Sequence, residues 1–390
     1  MFRMGKEEID AVTRVINSQA LFRVNNGAKE CDNFEKELRE KIGVDYAILM
    51  SGGTGALISA LVGLGIGPGD EVIVPGYTFM ATASAVLAVG AIPVLAEINE
   101  SMTLDPADVE KKISSKTKAV VPVHICGFPA DLDALKAICK KHGLKLLEDA
   151  CQADGGSYKG KRLGSIGDAG AYSFNYFKII SAGEGGAVLT NDRKVYERAL
   201  IYHDGGAAFR PYAGDLQEPV FTGSQLRVSE ITGAIMREQL KKLDGILTDL
   251  RAIKAKLMES IGEGKDYRFI PSNDIKGDCG TTLAFNFDSE AKARKFAGAV
   301  EGTWLPIDSG KHVYINWDPI IEKRGGHCDA VNPYKMAENA GLALDAAGAD
   351  ACPKTLDILK RTVYISLHCD WDEKKISSLT ESCKKALATL

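Results

Sequence analysis

The chain has 390 residues, with 48 lysines and arginines against 52 aspartates and glutamates, a formal net charge of −4 and 45% hydrophobic residues. Charges of both signs are interspersed, which excludes the basic stripe typical of a nucleic-acid-binding protein, and no apolar run approaches the roughly 18 residues of a membrane-spanning helix. A chain of this length exceeds what one simple hydrophobic core serves, so we expect a large domain and a smaller one.

The N-terminal stretch MFRMGKEEIDAVTRVI has no cationic segment followed by a continuous apolar run. It therefore predicts an amphipathic helix and not a secretion signal. The nine cysteines are scattered, and no two of them have the spacing CxxC, so we expect reduced thiols and no metal site. The expected location is the cytoplasm, and the expected partners are small molecules, with no nucleic acid and no membrane.

Short β-branched or apolar runs recur between residues 46 and 191 and predict buried strands. In chain order they are YAILMSG, EVIVPG, IPVLAEI, AVVPVHICG, KLLEDAC, AGAYSF and GAVLTN. Segments with helical periodicity lie between several of them, for example Thr54 to Leu64 and Asp131 to His142. This alternation predicts an α/β fold with a mostly parallel sheet that helices cover on both faces.

The second half of the chain begins with a long helical pattern from Val228 to about Ile261, and we place the domain boundary inside it. The predicted domains are residues 1–245 and 246–390. Strand-like runs at 282–287 and 363–368, around a helical run at 292–300, predict that the second domain is a smaller α+β unit. Segment 304–334 has no clear period and contains two of the three tryptophans, which is typical of a ligand-facing loop.

A glycine-rich turn, SGGTGAL, occupies residues 51–57 between a predicted strand and a predicted helix. Free backbone N–H groups and the helix dipole at such a turn bind anions, and the Thr54 hydroxyl adds a donor. A plain turn between strand and helix is the alternative, because glycine-rich turns are common.

A second feature is LLEDACQA, residues 146–153, an apolar strand that ends in Glu148 and Asp149. Buried carboxylates must be compensated, so we expect a cationic group to face them. A helix N-cap is the alternative role for Asp149.

A third feature is SFNYFKIISAGEGG, residues 173–186, where Lys178 stands among aromatic and aliphatic neighbours before a glycine-rich turn. An isolated lysine is usually exposed, but an apolar setting favours a neutral amine that attacks carbonyl groups. The stretch PGYTFMAT adds Tyr77 and Phe79 at another strand end, where either ring could also be ordinary core.

Together, these features supply the kinds of group that a pyridoxal phosphate site requires. The aldehyde goes to a lysine, the ring nitrogen to an aspartate, the phosphate to a helix N-terminus and the ring face to an aromatic side chain. The combination is far more specific than any one of its members.

The order of motifs resembles the DegT/DnrJ/EryC1/StrS family of sugar aminotransferases from about residue 5 to residue 385. The resemblance is carried by GIGPGDEVIVPGYTFMATASAVLAVGAIPV, EDACQADGGSYKGKRLGSIGDAGAYSF, Lys178 with GEGGAVLTND, and GSQLRVSEITGAIMREQL. It implies the fold-type I architecture of aspartate aminotransferases and a homodimer with active sites at the subunit interface. It also implies an enzyme that moves an amino group from glutamate or glutamine to a carbonyl sugar.

The resemblance also implies roles for individual residues. Lys178 forms the Schiff base with pyridoxal 5′-phosphate and moves the proton, and Asp149 pairs with the ring nitrogen. The remaining cofactor contacts are Gln152 to the ring hydroxyl, Phe79 to the ring face, and Gly53, Thr54 and Ser173 to the phosphate.

The chain departs from the family pattern at two positions. Gly52 stands where Ser or Asn is usual before the Gly-Thr of the phosphate loop. Gln225 stands where an Asn usually reaches the phosphate of the neighbouring subunit.

Segment 312–334, HVYINWDPIIEKRGGHCDAVNPY, is most similar to transaminases that make 8-amino-3,8-dideoxy-manno-octulosonate for lipopolysaccharide. The implied acceptor is the C8 aldehyde of 3-deoxy-manno-octulosonate, and its carboxylate requires a cationic pocket. The candidates are Arg210, Arg227, His203, His312 and His327. The alternatives are an aminotransferase for a nucleotide-linked keto sugar, a lyase such as a cysteine desulfurase, and a cofactor-bound sensor without turnover.

Overall fold

A computed structural model describes residues 2–25 and 27–390 of the chain. The first part contains strands and helices in close alternation. They are α1 (Lys6–Ser18), α2 (Glu30–Ile42), β1 (Tyr46–Met50), α3 (Gly53–Gly63), β2 (Glu71–Pro75), α4 (Ala81–Ala88), β3 (Ile92–Ala96), α5 (Pro106–Lys112), β4 (Thr117–Val120), α6 (Leu132–His142), β5 (Lys145–Asp149), β6 (Ser157–Tyr158), β7 (Lys161–Arg162), β8 (Ala169–Ser173), β9 (Gly186–Thr190) and α7 (Arg193–His203).

Within the described residues, the large sheet has seven strands in the order β1-β9-β8-β5-β4-β2-β3. Strands β8, β5, β4, β2 and β3 pair in parallel, whereas β9 runs antiparallel to both β1 and β8. The prediction of a mostly parallel sheet is therefore confirmed. Because all strands except β9 run in the same direction, their carboxyl ends meet at one edge of the sheet, where open α/β sheets bind ligands.

Helices cover both faces of this sheet because the strand residues are apolar on both sides. In β1, Ala47 and Leu49 belong to the core beneath α2 and the long helix α8 (Glu230–Ile261). Ile48 and Met50 belong to the core on the other face, with α3, α4 and α7. Capping residues set the helix ends. Asp131 accepts a hydrogen bond from the N–H of Ala134 at the start of α6, which agrees with the predicted helix.

The second part follows α8 (Glu230–Ile261), a continuous 32-residue helix. Its other elements are β10 (Tyr267–Phe269), β11 (Thr282–Phe287), α9 (Glu290–Ala299), β12 (Thr303–Trp304), α10 (Asp318–Ile321), α11 (Pro353–Lys360), β13 (Thr362–Ser366) and α12 (Glu373–Leu387). The four strands form an antiparallel sheet in the order β10-β11-β13-β12. Phe285, Phe287 and Phe296 pack in its core.

The predicted domain boundary, between residues 245 and 246, lies within α8 and stays a prediction. Segment 304–334 consists largely of short 3-10 turns joined by extended residues, as its lack of a period predicts. Across the described residues, none of the helices is both long and apolar enough to span a membrane.

Candidate active site

A cavity lies where the carboxyl ends of β1, β2, β5 and β8 meet. Seven of the eight predicted cofactor residues line it, and they come from four separate stretches of the chain: Gly53, Thr54, Phe79, Asp149, Gln152, Ser173 and Lys178. Gln225 is not among the lining residues. Thr78, Thr82, Asn175 and Glu184 also line the cavity, and the sequence did not single them out.

The glycine-rich turn places the first residues of α3 at this cavity. Gly52 is the N-cap of α3 and Gly53 is its first residue, so the unpaired N–H groups of the first helical turn open toward the cavity. A side chain at Gly53 would place its Cβ 2.8 Å from Cβ of Ser173 and 2.9 Å from Sγ of Cys151. Gly186 on β9 approaches the same turn closely, because a Cβ there would lie 2.5 Å from the carbonyl oxygen of Gly52. The backbone of β9 therefore packs against the side of the turn that faces away from the cavity, and the N-terminus of α3 faces the cavity.

Asp149 stands at the end of β5 and is buried. Its Oδ2 accepts a 2.7 Å hydrogen bond from the Thr82 hydroxyl, and its Oδ1 accepts one of 3.2 Å from the N–H of Cys151. The Thr82 hydroxyl also lies 2.8 Å from the hydroxyl of Thr78. These contacts fix the carboxylate and leave it facing the cavity. Asp149 does not cap an α-helix, so the N-cap alternative is wrong.

Glu148, the preceding residue, faces away from the cavity and is fully buried. Its two oxygens accept hydrogen bonds from the N–H groups of Gly164, Ile166 and Gly167, at 2.6 to 2.8 Å. The fourth donor is Nε2 of His124, at 3.1 Å. This imidazole is neutral, because its Nδ1 accepts from the N–H of Ala130. The expectation of a cationic partner is therefore wrong for Glu148, because backbone N–H groups and a neutral imidazole donate hydrogen bonds to its carboxylate instead.

Lys178 lies in a loop that closes on itself between β8 and β9. The N–H of Phe174 donates to the carbonyl of Gly185 (2.8 Å), and the N–H of Tyr176 donates to that of Gly183 (3.0 Å). Gly183 has φ of 84°, a conformation that favours glycine. The loop presents the half-buried Lys178 to the cavity.

The residues beside Lys178 differ in their burial. Ile179 and Ile180 are buried, whereas Tyr176 and Phe177 are 65% and 75% exposed. We expected the apolar neighbours of Lys178 to shield its amine from solvent. This expectation is wrong for Tyr176 and Phe177, because both rings are exposed. Their exposure at the rim of the cavity leaves an aromatic surface uncovered in the single chain.

Two cysteines lie close to the cavity, and both favour the thiol form. Burial raises the pKa of Cys126 to about 12 and raises the pKa of Cys151 well above its ordinary value, and the charge of Asp149 adds to the second shift. The N–H of Cys126 donates to Oε1 of Gln152 (3.0 Å), which fixes the Gln152 amide at the cavity wall.

Of the two aromatic candidates at the end of β2, Tyr77 is core and Phe79 belongs to the site. Phe79 is 36% exposed and lies 5.5 Å from the ring of His312. Nζ of Lys311 lies 5.1 Å from the centre of the Phe79 ring. The backbone carbonyls of His312 and Lys311 accept from the N–H groups of Thr78 and Met80, so segment 304–334 is joined to the rim of the cavity.

The other candidates for binding a substrate carboxylate are engaged elsewhere. Arg210 and Arg227 both form ion pairs with the buried Asp204, and their guanidinium groups hold its pKa below its ordinary value against the effect of burial. His203 is buried, and its Nδ1 lies 2.7 Å from the Leu200 carbonyl. His327, the remaining candidate, is exposed and is absent from the cavity lining. Gln225, the residue expected to reach the neighbouring subunit, is also exposed and absent from the lining.

Asp154 is a further acidic residue near the cavity that the sequence did not single out. It is fully buried, and the polar group that faces its carboxylate is the backbone N–H of Ser173, which favours the charged form but lies outside ordinary hydrogen-bond geometry. Burial raises the pKa of Asp154 well above its ordinary value, and the positive charge of Lys178 opposes that rise.

The arrangement fits pyridoxal phosphate. The N-terminus of α3 with Thr54 and Ser173 forms an anion site, Asp149 offers a fixed carboxylate, Lys178 offers an amine, and Phe79 offers a ring face. The absence of a side chain at Gly53 lets the start of α3 approach Ser173 closely, so that the helix N-terminus and the Ser173 hydroxyl lie side by side in the anion site.

The family model described as the DegT/DnrJ/EryC1/StrS aminotransferase family matches residues 3–287 of the chain. One similar protein is the L-glutamine:2-deoxy-scyllo-inosose aminotransferase of Streptoalloteichus tenebrarius, 37% identical over 246 residues that cover 60% of this chain and 58% of the relative. Another is the dTDP-3-amino-3,4,6-trideoxy-alpha-D-glucose transaminase of Streptomyces venezuelae, 40% identical over 236 residues that cover 60% of each chain. The chain spans about three-fifths of the length of these curated relatives.

Among solved structures, the aminotransferase from Psychrobacter cryohalolentis is 27% identical, with a TM-score of 0.81, over 100% of this chain and 98% of that one. The predicted fold class is therefore confirmed over the whole length of the chain.

Proposed function

The chain belongs to the DegT/DnrJ/EryC1/StrS aminotransferase family, and we propose that it is a pyridoxal-phosphate-dependent aminotransferase that moves an amino group from glutamate or glutamine to a carbonyl sugar. The observation that carries this proposal is the convergence of Lys178, the fixed Asp149 carboxylate and the N-terminus of α3 on one cavity. The cytoplasmic location stays a prediction.

Pyridoxal phosphate, when bound, supplies an electron sink for the substrate carbon. The residues of the chain supply the rest. The helix N-terminus, Thr54 and Ser173 would hold the phosphate, and the fixed Asp149 carboxyl group would pair with the ring nitrogen. Lys178 would hold the cofactor through its aldehyde, and Nζ of Lys178 would take and return a proton at the substrate carbon.

We propose that Gln152, Phe79 and Gln225 complete the cofactor contacts. The Gln152 amide, fixed by the N–H of Cys126, would bind the ring hydroxyl, and Phe79 would cover the ring face. Gln225 is exposed, as a residue that reaches the site of a second subunit has to be. The exposed rings of Tyr176 and Phe177 at the rim of the cavity support a homodimer with shared sites.

We propose the C8 aldehyde of 3-deoxy-manno-octulosonate as the acceptor. Arg210 and Arg227 are paired with Asp204, so the acceptor carboxylate falls to Lys311 and His312, which border Phe79 at the cavity rim. No ion pair engages Lys311 within residues 2–25 and 27–390. A nucleotide-linked keto sugar is the second candidate, because one relative of 40% identity bears the name of such a transaminase.

A cysteine desulfurase reaction is disfavoured by the two cysteines closest to the cavity. That reaction needs a reactive thiolate on a mobile segment, whereas burial raises the pKa of both Cys126 and Cys151 and holds them as thiols.

The class of reaction is tested with the purified chain. We expect it to bind pyridoxal phosphate with visible absorbance, and borohydride to fix the cofactor to Lys178, as located by peptide mass spectrometry. Lys178→Ala should lose the covalent label and turnover. The control Lys145→Ala, at the half-buried start of β5 and away from the cavity lining, should keep both. Normal turnover by Lys178→Ala would refute the proposal, as would release of sulfide from cysteine without transamination.

The acceptor is tested with the C8 aldehyde acid and its methyl ester. We expect the ester to be a poorer acceptor for the wild type, and Lys311→Ala to remove most of that difference. A panel of nucleotide-linked keto sugars serves as comparison. Turnover of a nucleotide-linked sugar in preference to the acid would favour the second candidate.

A further inference from the structure

Two polar residues of the loop between β8 and β9 line the cavity, and the cofactor contacts use neither of them. Asn175 is half-buried and Glu184 is exposed, and both stand in the cavity lining with Lys178. The Glu184 carboxylate accepts no hydrogen bond and forms no ion pair within the part of the chain that the structure describes. Ligand sites typically contain a small number of such polar groups, which fix the orientation of the ligand.

Asn175 and Glu184 face each other across the loop. The two backbone hydrogen bonds that close the loop join residue 174 to 185 and residue 176 to 183, and they continue the antiparallel register of β8 and β9. Asn175 therefore lies directly opposite Glu184. Two residues in this relationship carry their side chains on the same face, with Cβ atoms about 5 Å apart. Because both side chains line the cavity, that face is the one that opens to it.

The amide of Asn175 has a fixed orientation. Its Oδ1 accepts a 3.0 Å hydrogen bond from the N–H of Phe177, so its NH2 group is the part that is left to donate to a ligand. The N–H of Lys178 donates to the Asn175 carbonyl (3.1 Å), which places the two residues in one turn. A ligand group bound by the Asn175 amide would therefore lie near the substrate carbon on which Lys178 is proposed to act.

The pair offers one hydrogen-bond donor and one acceptor, and this combination selects among the groups that a substrate can present. An ammonium group only donates and a carboxylate group only accepts, so each would leave one member of the pair without a partner. A hydroxyl group does both, so it satisfies the Asn175 amide and the Glu184 carboxylate at once. Sugars carry hydroxyl groups on the carbons next to their carbonyl group.

We propose that Asn175 and Glu184 determine acceptor specificity by binding the hydroxyl group next to the reacting carbonyl group. The Asn175 amide donates to the hydroxyl oxygen, and the hydroxyl group donates to the Glu184 carboxylate. The two hydrogen bonds hold the carbonyl carbon beside Lys178 and select against carbonyl compounds that lack the hydroxyl group. The inference rests on the proposed function, which makes the ligand of this cavity a carbonyl sugar.

The first test compares acceptors that differ by this one hydroxyl group. One pair is the C8 aldehyde of 3-deoxy-manno-octulosonate and its analogue without the C7 hydroxyl. The other pair is a nucleotide-linked keto sugar and its analogue without the hydroxyl next to the carbonyl. In the pair that the wild type turns over faster, we expect kcat/KM to be about tenfold to a hundredfold higher for the hydroxylated member.

Variants of the two residues should reduce this preference. Glu184→Ala removes the acceptor, and Asn175→Asp keeps an oxygen for the N–H of Phe177 but removes the donor. Each should lower the ratio of the two kcat/KM values at least about fivefold. Glu184→Gln retains an acceptor oxygen and should keep part of the preference. The control Glu381→Ala changes an exposed glutamate of α12 and should keep the ratio of the wild type.

The outcomes of this test separate the inference from the proposed function. A ratio that is the same in the wild type, Glu184→Ala and Asn175→Asp would overturn the inference. If glutamate and glutamine left the cofactor absorbance of the wild type unchanged, the proposed function itself would be refuted.

The second test measures binding without turnover. In calorimetry with Lys178→Ala, the hydroxylated acceptor should bind at least about tenfold more tightly than its deoxy analogue. The double variant Lys178→Ala/Glu184→Ala should lose most of that difference. Equal affinities of the two acceptors for Lys178→Ala would overturn the inference. Because this comparison needs no catalysis, it decides the role of the pair whether or not the enzyme transfers an amino group.

Discussion

Thr82 donates a 2.7 Å hydrogen bond to Oδ2 of Asp149 across 67 residues of sequence. The bond joins the first turn of α4 to the carboxyl end of β5 and fixes the direction of the carboxylate that faces the cavity.

Replacing Thr82 by valine should weaken cofactor binding. The variant keeps the shape of the side chain but removes a hydrogen bond to a charged group, which contributes about 1.5 kcal/mol or more, so we expect the dissociation constant of pyridoxal phosphate to rise about tenfold. Absorbance titration measures it. Thr248→Val, on the exposed side of α8, should bind like the wild type, and equal affinity of Thr82→Val and wild type would contradict the prediction.

The two glycines at the start of α3 should respond oppositely to substitution. A Cβ at Gly52 would have no atom within 4 Å, whereas one at Gly53 would lie 2.8 Å from Cβ of Ser173. We expect Gly52→Ser to keep its melting temperature and bind the cofactor at least as well as the wild type. Gly53→Ala should lose about tenfold or more in affinity, because overpacking costs about 1–3 kcal/mol. Similar affinities for the two variants would show that the close approach at Gly53 is unimportant.

Stability should depend on pH through His203. Burial, with a smaller effect from the charge of Arg23, lowers the pKa of His203 to about 4. In the unfolded chain the imidazole titrates near pH 6.5, so between about pH 6.5 and 4 only the unfolded state binds this proton. The free energy of unfolding should therefore decrease as pH falls through this window, by about 3 kcal/mol in total from this residue.

Urea unfolding at several pH values measures this effect. His203→Phe should have a shallower pH dependence in the same window, even if its stability at neutral pH is lower. His327→Phe replaces an exposed imidazole and should retain the full slope. A slope unaltered by His203→Phe would assign the pH dependence to other groups.

The exposed aromatic rim should be an interface between two copies of the chain. Phe177 is 75% exposed beside the cavity, and buried aromatic side chains commonly dominate the energy of such interfaces. We expect Phe177→Ser to raise the dimer dissociation constant at least about tenfold in sedimentation experiments. Ile275→Ser, which changes a 54% exposed side chain in the second part of the chain, should leave the dimer intact. A monomeric wild type would contradict this prediction.

The strands and the position of the site could be predicted because their signals are local. The apolar runs mark β1 to β5, β8 and β9 but not the short β6 and β7. Polar residues at parallel strand ends must meet at one edge, which brings Asp149, Ser173 and Lys178 together. The partners of Glu148 could not be predicted in this way. Its charge demanded compensation, but the sequence does not show that a loop folds back to offer backbone N–H groups instead of a cation.

The contacts between irregular segments that lie far apart in the sequence could not be predicted either. Asp204, Arg210 and Arg227 lie in a stretch without periodicity, so the sequence does not show that they form ion pairs with one another. The two arginines were therefore predicted to be free to bind substrate. Lys311 reaches the cavity rim only because the backbone of residues 311–313 binds residues 77–80, more than 230 positions earlier. The one available signal for Thr82 was its place a single helical turn after Phe79.

The closed loop of residues 174–185 has a consequence for the order in which the site assembles. Ser173, Lys178 and Gly186 all belong to one antiparallel hairpin, β8 and β9, whose ends are joined by a short segment with its own hydrogen bonds. Closing a loop of this size costs little entropy, whereas Asp149 and Gly53 reach the site only through long crossover connections. The amine and one wall of the phosphate site therefore form a local unit, against which the slower, long-range part of the sheet completes the site.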